Sequence, residues 1–294
     1  MATTVPKALN EFAALIKPTD NEESVINSRR NAVSNFMLVK YGPDSSMPLL
    51  ETKVIGSAGR KTLIRPVTDI DIFCVFDDRN VWASYKSNSQ QLLYRVREAL
   101  TGYRVKTVGS RGQAVRLFYE TGPDVDITPA FRNYDIFGRQ IGFVIPRGNG
   151  RWQQTNPYVH GEFMAERNQS LNGYLKPLVR LLKRWNGAHS SRLHSFHLEL
   201  IAQKTFGQLG SDMRLATQRF FEWAPKNLHV NDPAGYSGDM AAGLTYAQSK
   251  DILSAFDYGA DHAERARQAE AEGRPAEALR QWGIVFGPGF PSYG

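Results

Sequence analysis

The sequence predicts an α+β fold: a mixed sheet with helices, packed against a C-terminal helical lobe. Three observations predict it. Strand-like alternation is concentrated between roughly residues 50 and 146, interrupted by one helical stretch near 89–101. Helical periodicity precedes that block and dominates from about residue 160 onward. At 294 residues and 41% hydrophobic content, the chain can bury a substantial core in two joined lobes, expected over 1–160 and 161–294.

Each element has a local reason. Residues 5–17 read as a short helix. Asp20 and Glu23 have capping-box spacing ahead of a longer amphipathic stretch reaching about Tyr41. The run GSAGRKTLIRPVTDIDIFCVF turns at Gly56 and enters a strand at Asp69. QAVRLFYETGPDVDITPAF gives a strand from about Gln113, a turn at Thr121–Asp124 and a return strand. Gly109 and Gly112 fit a strand-to-strand turn, and Arg147–Trp152 a basic surface turn. Further on, Leu171, Leu175, Leu178, Leu182 and Trp185 form an apolar helical stripe. Lys176, Arg180, Lys183 and Arg184 fall on another face, and Pro177 marks a kink or a helix start. A helix over about Arg192–Leu209 follows. Ser211 is the expected cap of the next, Thr245 with Gln248 caps another, and Pro275 opens the last. Asp261–Gly273, rich in Ala, Glu and Arg, reads as a solvated helix.

The chemistry lies between Gly56 and Asp126. Gly56 lets backbone approach a ligand closely, and Ser57 with the N–H groups of the following turn can bind phosphate oxygens. After eleven more residues, Asp69 and Asp71 alternate with Ile70 and Ile72, so a strand points both carboxylates the same way while the isoleucines pack behind. Two adjacent carboxylates repel unless a cation lies between them, and hard oxygen ligands beside a phosphate site suit Mg²⁺. Asp126, inside a β-branched run, is the expected third ligand, and Asp124 belongs to the turn. Three carboxylates could hold two metal ions, one activating the attacking hydroxyl and one arriving on the triphosphate. An Asp-x-Asp alone is commonplace; the conjunction with the Gly-Ser turn and a third Asp points to nucleotidyl transfer.

These residues resemble the polymerase-β-like nucleotidyltransferase superfamily. GSAGRKTLIRPVTDIDIF, VDITPAF, LVRLLKRWN and HSFHLE together resemble the bacterial CD-NTases, relatives of animal cyclic GMP-AMP synthase and oligoadenylate synthase; FGPGFP near the C-terminus also looks familial. The resemblance implies a catalytic, metal-binding triad of Asp69, Asp71 and Asp126, with Gly56 and Ser57 as the phosphate turn. It also implies that Lys183 and Ser195 grip the donor triphosphate and that Phe196 stacks on a base. Phe replaces the usual Tyr there, keeping the π-face and losing a hydroxyl. A long early helix bracing both lobes, and a nucleotide in the cleft between them, are likewise implied.

The implied activity is template-independent condensation of nucleoside triphosphates into a cyclic di- or trinucleotide for antiphage signalling. It would use two Mg²⁺ ions, replaceable by Mn²⁺. ATP is the expected substrate, the second base is open, and a regulatory protein encoded nearby is a candidate partner. Alternatives are transfer to an RNA end, an aminoglycoside or a protein hydroxyl, and a nucleic-acid sensor of the linear-oligonucleotide-synthase type. The +7 net charge fits polyanionic partners; nucleic acid is neither required nor excluded by it. One cysteine, Cys74, excludes an intramolecular disulfide and Cys-based zinc sites, and His194 with His197 lacks a third ligand. With no long apolar span and no signal core, the expected location is the cytoplasm, without membrane attachment. The ending FGPGFPSYG reads as a frayed end or a protruding tail open to conjugation.

Overall fold

A computed structural model describes residues 2–294. In chain order it contains α1 (Val5–Ile16), α2 (Asp20–Lys40), β1 (Leu49–Ile55), α3 (Gly56–Gly59), β2 (Asp69–Phe76), α4 (Asp78–Tyr85) and α5 (Ser89–Ala99). Then come β3 (Thr107–Arg111), β4 (Ala114–Phe118), β5 (Asp124–Tyr134), β6 (Gln140–Arg147) and β7 (Arg151–Thr155). The rest is helical: α6 (Pro157–Ser170), α7 (Leu175–Ala188), α8 (Ser195–Thr205), α9 (Met213–Trp223), α10 (Tyr246–Ala271) and α11 (Pro275–Phe286).

The chain forms two compact units. One comprises Pro18–Lys61 and Val67–Gly161 and holds the sheet; the other comprises Met1–Lys17, Thr62–Pro66 and Glu162–Gly294. The division expected at residue 160 therefore differs in two pieces. α1 sorts with the helical unit because it buries Val5, Ala8, Leu9, Phe12 and Ile16 there. Phe12 packs on Phe286 and Phe290 with ring centroids 5.4 and 5.2 Å apart. Thr62–Pro66 also joins this unit, with the Arg65 N–H donating to the Ile16 carbonyl at 2.8 Å.

In the sheet unit the strand order is β1-β2-β5-β4-β3, and the far half of β5 pairs with β6, which pairs with β7. β2 and β5 run parallel, in the register Asp69↔Asp124 and Asp71↔Asp126; the other pairs are antiparallel. The start of β2 alternates half-buried aspartates with buried isoleucines, and from Ile72 onward it is buried throughout. Phe73, Val75, Ala130, Phe143 and Ile145 form a core that anchors β2 and β5 where they leave the site. α2 lies against β1 and β2, α5 against β3–β7. The helix α4 is not anticipated by periodicity; Asp77 caps it by accepting from the Arg79 N–H at 3.0 Å.

Three expectations about helices need correction. α2 is capped by Thr19 and Glu22, one residue earlier than Asp20 and Glu23: the Thr19 hydroxyl accepts from the Glu22 N–H at 3.2 Å, and Glu22 accepts from the Thr19 N–H at 2.8 Å. α9 is capped by Asp212, which accepts from Arg214 and Leu215, rather than by Ser211. Residues 261–271 are not a solvated helix but the end of α10, burying His262, Ala263, Ala266 and Ala269. The Thr245–Gln248 box at the head of α10 forms as expected. The apolar stripe of α7 is buried throughout, and Pro177 sits in its first turn.

The C-terminal segment is docked rather than protruding. Gly287 has φ +76°, and a Cβ there would lie 2.5 Å from the Ala188 Cβ. Phe290 follows onto Phe12 and Phe286, the Ala2 N–H donates to the Ser292 carbonyl at 3.0 Å, and Tyr293 bridges Ala2. Among the described residues, no helix is long and apolar enough to cross a membrane.

Candidate active site

The carboxylates gather where β2 and β5 begin. Parallel register sets Asp71 beside Asp126 and Asp69 beside Asp124, and the two-residue strand period brings all four to one face. Gly56 closes the other side. β1 pairs Ile55 with Asp71, and the chain then turns through Gly56 at φ +63°, where any Cβ would lie 1.9 Å from Asp71 Oδ2. Only glycine fits there, for conformation and for space together. Ser57 is half-buried in the single turn α3, whose first N–H groups have no partner within the turn. The structure thus brings Gly56, Ser57, Asp69, Asp71 and Asp126 together.

Asp124 does more than form a turn. Its Oδ1 accepts from the Tyr119 N–H at 3.1 Å, closing the β4–β5 hairpin as expected. As the first residue of β5, though, it also stands beside Asp69.

A fifth member escaped the sequence reading. Arg116 lies mid-β4 in register with Asp126, and its side chain is buried among the carboxylates. Nε donates to Asp126 Oδ1 at 2.6 Å and Nη2 to Asp126 Oδ2 at 2.5 Å. Nη2 also reaches Asp69 Oδ2 at 3.2 Å, and Nη1 lies 3.9 Å from Asp124 Oδ2. The signal was available: an arginine alternating with Val115 and Leu117 on a buried strand needs acid partners. These contacts, the Asp126 hydrogen bonds first, hold the guanidinium protonated more firmly than usual.

Charge in the cluster remains unbalanced. Burial first, then the Asp69 and Asp126 carboxylates, push the Asp71 pKa up to about 6, and Arg60 and Arg116 only partly offset this. Among the described residues no group of three carboxylate, histidine or cysteine side chains stands ready around a metal position. The fork of Arg116 takes both oxygens of Asp126. The donor set still fits a hard divalent cation, for which Asp69, Asp71 and Asp126 would supply oxygens.

The remaining predicted residues lie in the helical unit. Lys183, which periodicity places on a basic face, is buried: its ammonium donates to Glu199 Oε1 at 3.1 Å and to the Thr62 carbonyl at 3.0 Å. Thr62 Oγ1 donates to the same Glu199 oxygen at 2.9 Å, and Glu199 is fully buried. Glu199 is the second residue the sequence reading passed over, although it ends the HSFHLE motif. Ser195 is exposed in the first turn of α8, and Phe196 is half-buried against the helical core. His194 caps that helix, its Nδ1 accepting from the Phe196 N–H at 3.4 Å, and His197 bonds the Leu228 carbonyl at 2.7 Å.

Residues 3–168, more than half of the chain, match the family described as the Second Messenger Oligonucleotide or Dinucleotide Synthetase domain, SMODS. The chain belongs to the SMODS family. It is a nucleotidyltransferase of the cyclic-oligonucleotide-synthase class and, more broadly, a bacterial CD-NTase with the polymerase-β-like fold. It is 27% identical to a probable cyclic nucleotide synthase of Bacillus cereus, over 100% of this chain and 99% of that protein. A cyclic AMP-AMP-AMP synthase of Acinetobacter sp. is also 27% identical, over 96% of this chain and 84% of that one. Among solved structures, E. coli MS115-1 CdnC with ATP shares the fold at TM-score 0.78 and 20% identity, covering 97% of this chain and 98% of that one. Vibrio cholerae DncV cyclic AMP-GMP synthase shares it at 0.77 and 12%, covering 95% and 93%.

Proposed function

We propose that this SMODS protein condenses ATP, alone or with a second nucleoside triphosphate, into a cyclic di- or trinucleotide used in antiphage signalling. One observation carries this reading: the parallel register that lines Asp69 and Asp71 up with Asp124 and Asp126, directly beside the left-handed turn at Gly56. ATP is supported by the cyclic AMP-AMP-AMP synthase relative. A regulatory protein partner is part of the proposal, since the related CdnC was solved in a complex with HORMA-deltaN.

A 2′- or 3′-hydroxyl attacks the α-phosphate, the new P–O bond forms in line, and pyrophosphate leaves with the electron pair of the broken bond. Asp69, Asp71 and Asp126 would hold Mg²⁺ or Mn²⁺, which when bound neutralises phosphate charge and acidifies the attacking hydroxyl. Asp126 is the residue proposed to receive that hydroxyl's proton. Gly56 keeps side-chain atoms away from the phosphates, and Ser57 with the first N–H groups of α3 binds their oxygens. Ser195, exposed at a helix N-terminus, suits a donor phosphate, and Phe196 offers a ring for base stacking. Lys183, already bound to Glu199 and Thr62, serves in this reading by holding the 62–66 segment ahead of the aspartates.

The test is a product assay with the four ribonucleoside triphosphates, each labelled in turn. A phosphatase-resistant species with the mass of a cyclic di- or trinucleotide is expected. In Asp69→Asn/Asp71→Asn protein that is folded by circular dichroism, it should fall by roughly 10³-fold or more. Only linear or RNA-extended products from the wild type would reject cyclisation.

A further inference from the structure

Arg116 has no task in the reaction above, yet it occupies the middle of the carboxylate cluster. We propose that Arg116 is a resident counter-ion standing where the divalent cation enters, and that Asp124 receives its guanidinium when the cation arrives. This rests on the reading of Asp69, Asp71 and Asp126 as the cation's ligands.

Arg116 bridges Asp69 and Asp126, two of the carboxylates that a bound cation would share. Guanidinium and divalent cation sharing the same carboxylate oxygens repel each other, so in this proposal the guanidinium does not keep all of its contacts when the cation binds. Nor can the arginine simply let go, since its side chain is only 9% exposed and an unpaired charge is costly to bury. It needs another acid within reach, and Asp124 is placed for that. The Tyr119 N–H fixes Asp124 Oδ1, leaving Oδ2 turned toward Nη1 at 3.9 Å. A shift of about 1 Å would bring that pair to hydrogen-bond distance. Register supports the path: Asp124 and Asp126 share one face of β5, and Arg116 lies opposite Asp126 on β4. Arg116 thereby balances the carboxylates when no cation is bound and sets a threshold for cation entry.

The opposite role, a fork that merely orients Asp126 for the metal, makes the opposite prediction. Mn²⁺ binding to the nucleotide-free, full-length protein is measured by electron paramagnetic resonance of the free ion. Arg116→Met should tighten Mn²⁺ binding by on the order of tenfold. Asp124→Asn should weaken it several-fold in the wild-type background and have much less effect when combined with Arg116→Met. Arg116→Lys, which keeps the charge without the fork, should fall between and serves if the methionine variant does not fold. Weaker or unchanged binding in both Arg116 variants overturns the counter-ion role, as does an Asp124→Asn effect of equal size in both backgrounds. If Asp71→Asn leaves Mn²⁺ binding of the wild type untouched, the ligand assignment itself fails, a result separate from either of those.

Discussion

The two units each bury a cluster of charge, and the clusters are built on different balances. In the helical unit Lys183 and Glu199 pair one to one, Thr62 supplies a hydroxyl and a carbonyl, and Glu199 is closed to solvent. In the sheet unit Asp69, Asp71, Asp124 and Asp126 gather around Arg116, and burial first, then the neighbouring carboxylates, raise the pKa of Asp71. A satisfied pair holds chain segments in place. An unsatisfied cluster is poised to take up a cation. The physical difference is where the remaining electrostatic work lies, in folding for the first and in ligand binding for the second.

Breaking the balanced pair should have the largest effect. Glu199→Leu strands the Lys183 ammonium and is expected to cost about 3–5 kcal/mol in chemical denaturation. Lys183→Met/Glu199→Leu together should recover most of that loss, because no charge is left buried. If the double variant is stable but makes product poorly with a raised KM, Lys183 also acts on the triphosphate.

The unbalanced cluster should respond with the opposite sign. The Asp71 carboxyl titrates near 3.8 when unfolded and near 6 when folded, so the folded state binds its proton more tightly. That stabilisation is full below pH 3.8 and is lost as pH rises through 6, about 3 kcal/mol for this one group. Metal-free protein followed by thermal melting should therefore lose this contribution between pH 4 and 6. Asp71→Asn should flatten that part of the profile, and Mg²⁺ should restore stability above pH 6. A profile unchanged by Asp71→Asn would mean that the cluster is already neutralised.

The smallest change sharpens the contrast. Thr62→Val removes one hydroxyl donor from Glu199 while Lys183 remains, and should cost about 1 kcal/mol. A loss as large as that of Glu199→Leu would make the threonine, not the ion pair, the linchpin of the cluster.

Much of this was legible before any coordinates. The Asp-Ile-Asp-Ile alternation, the glycine before Ser57 and the Asp-Val-Asp return strand reported a carboxylate face, because strand period and turn chemistry are local properties. The caps at Thr19 and Asp212 were each missed by one residue, since neighbouring Thr, Asp and Ser compete for the same N–H groups. Arg116 and Glu199 were missed for another reason. Ten residues separate Arg116 from Asp126, and sixteen separate Lys183 from Glu199. No periodicity links partners on different elements.

The sequence by itself determined the kinds of elements, the carboxylate-bearing strands, the phosphate turn and, through the motifs, the family. Only the tertiary structure decided that Arg116 sits among the aspartates, that Asp124 faces it, and that Lys183 is buried rather than solvated. Local patterns record what each residue prefers. Which charges meet depends on strand register and helix packing, and burial of the whole core sets those at once.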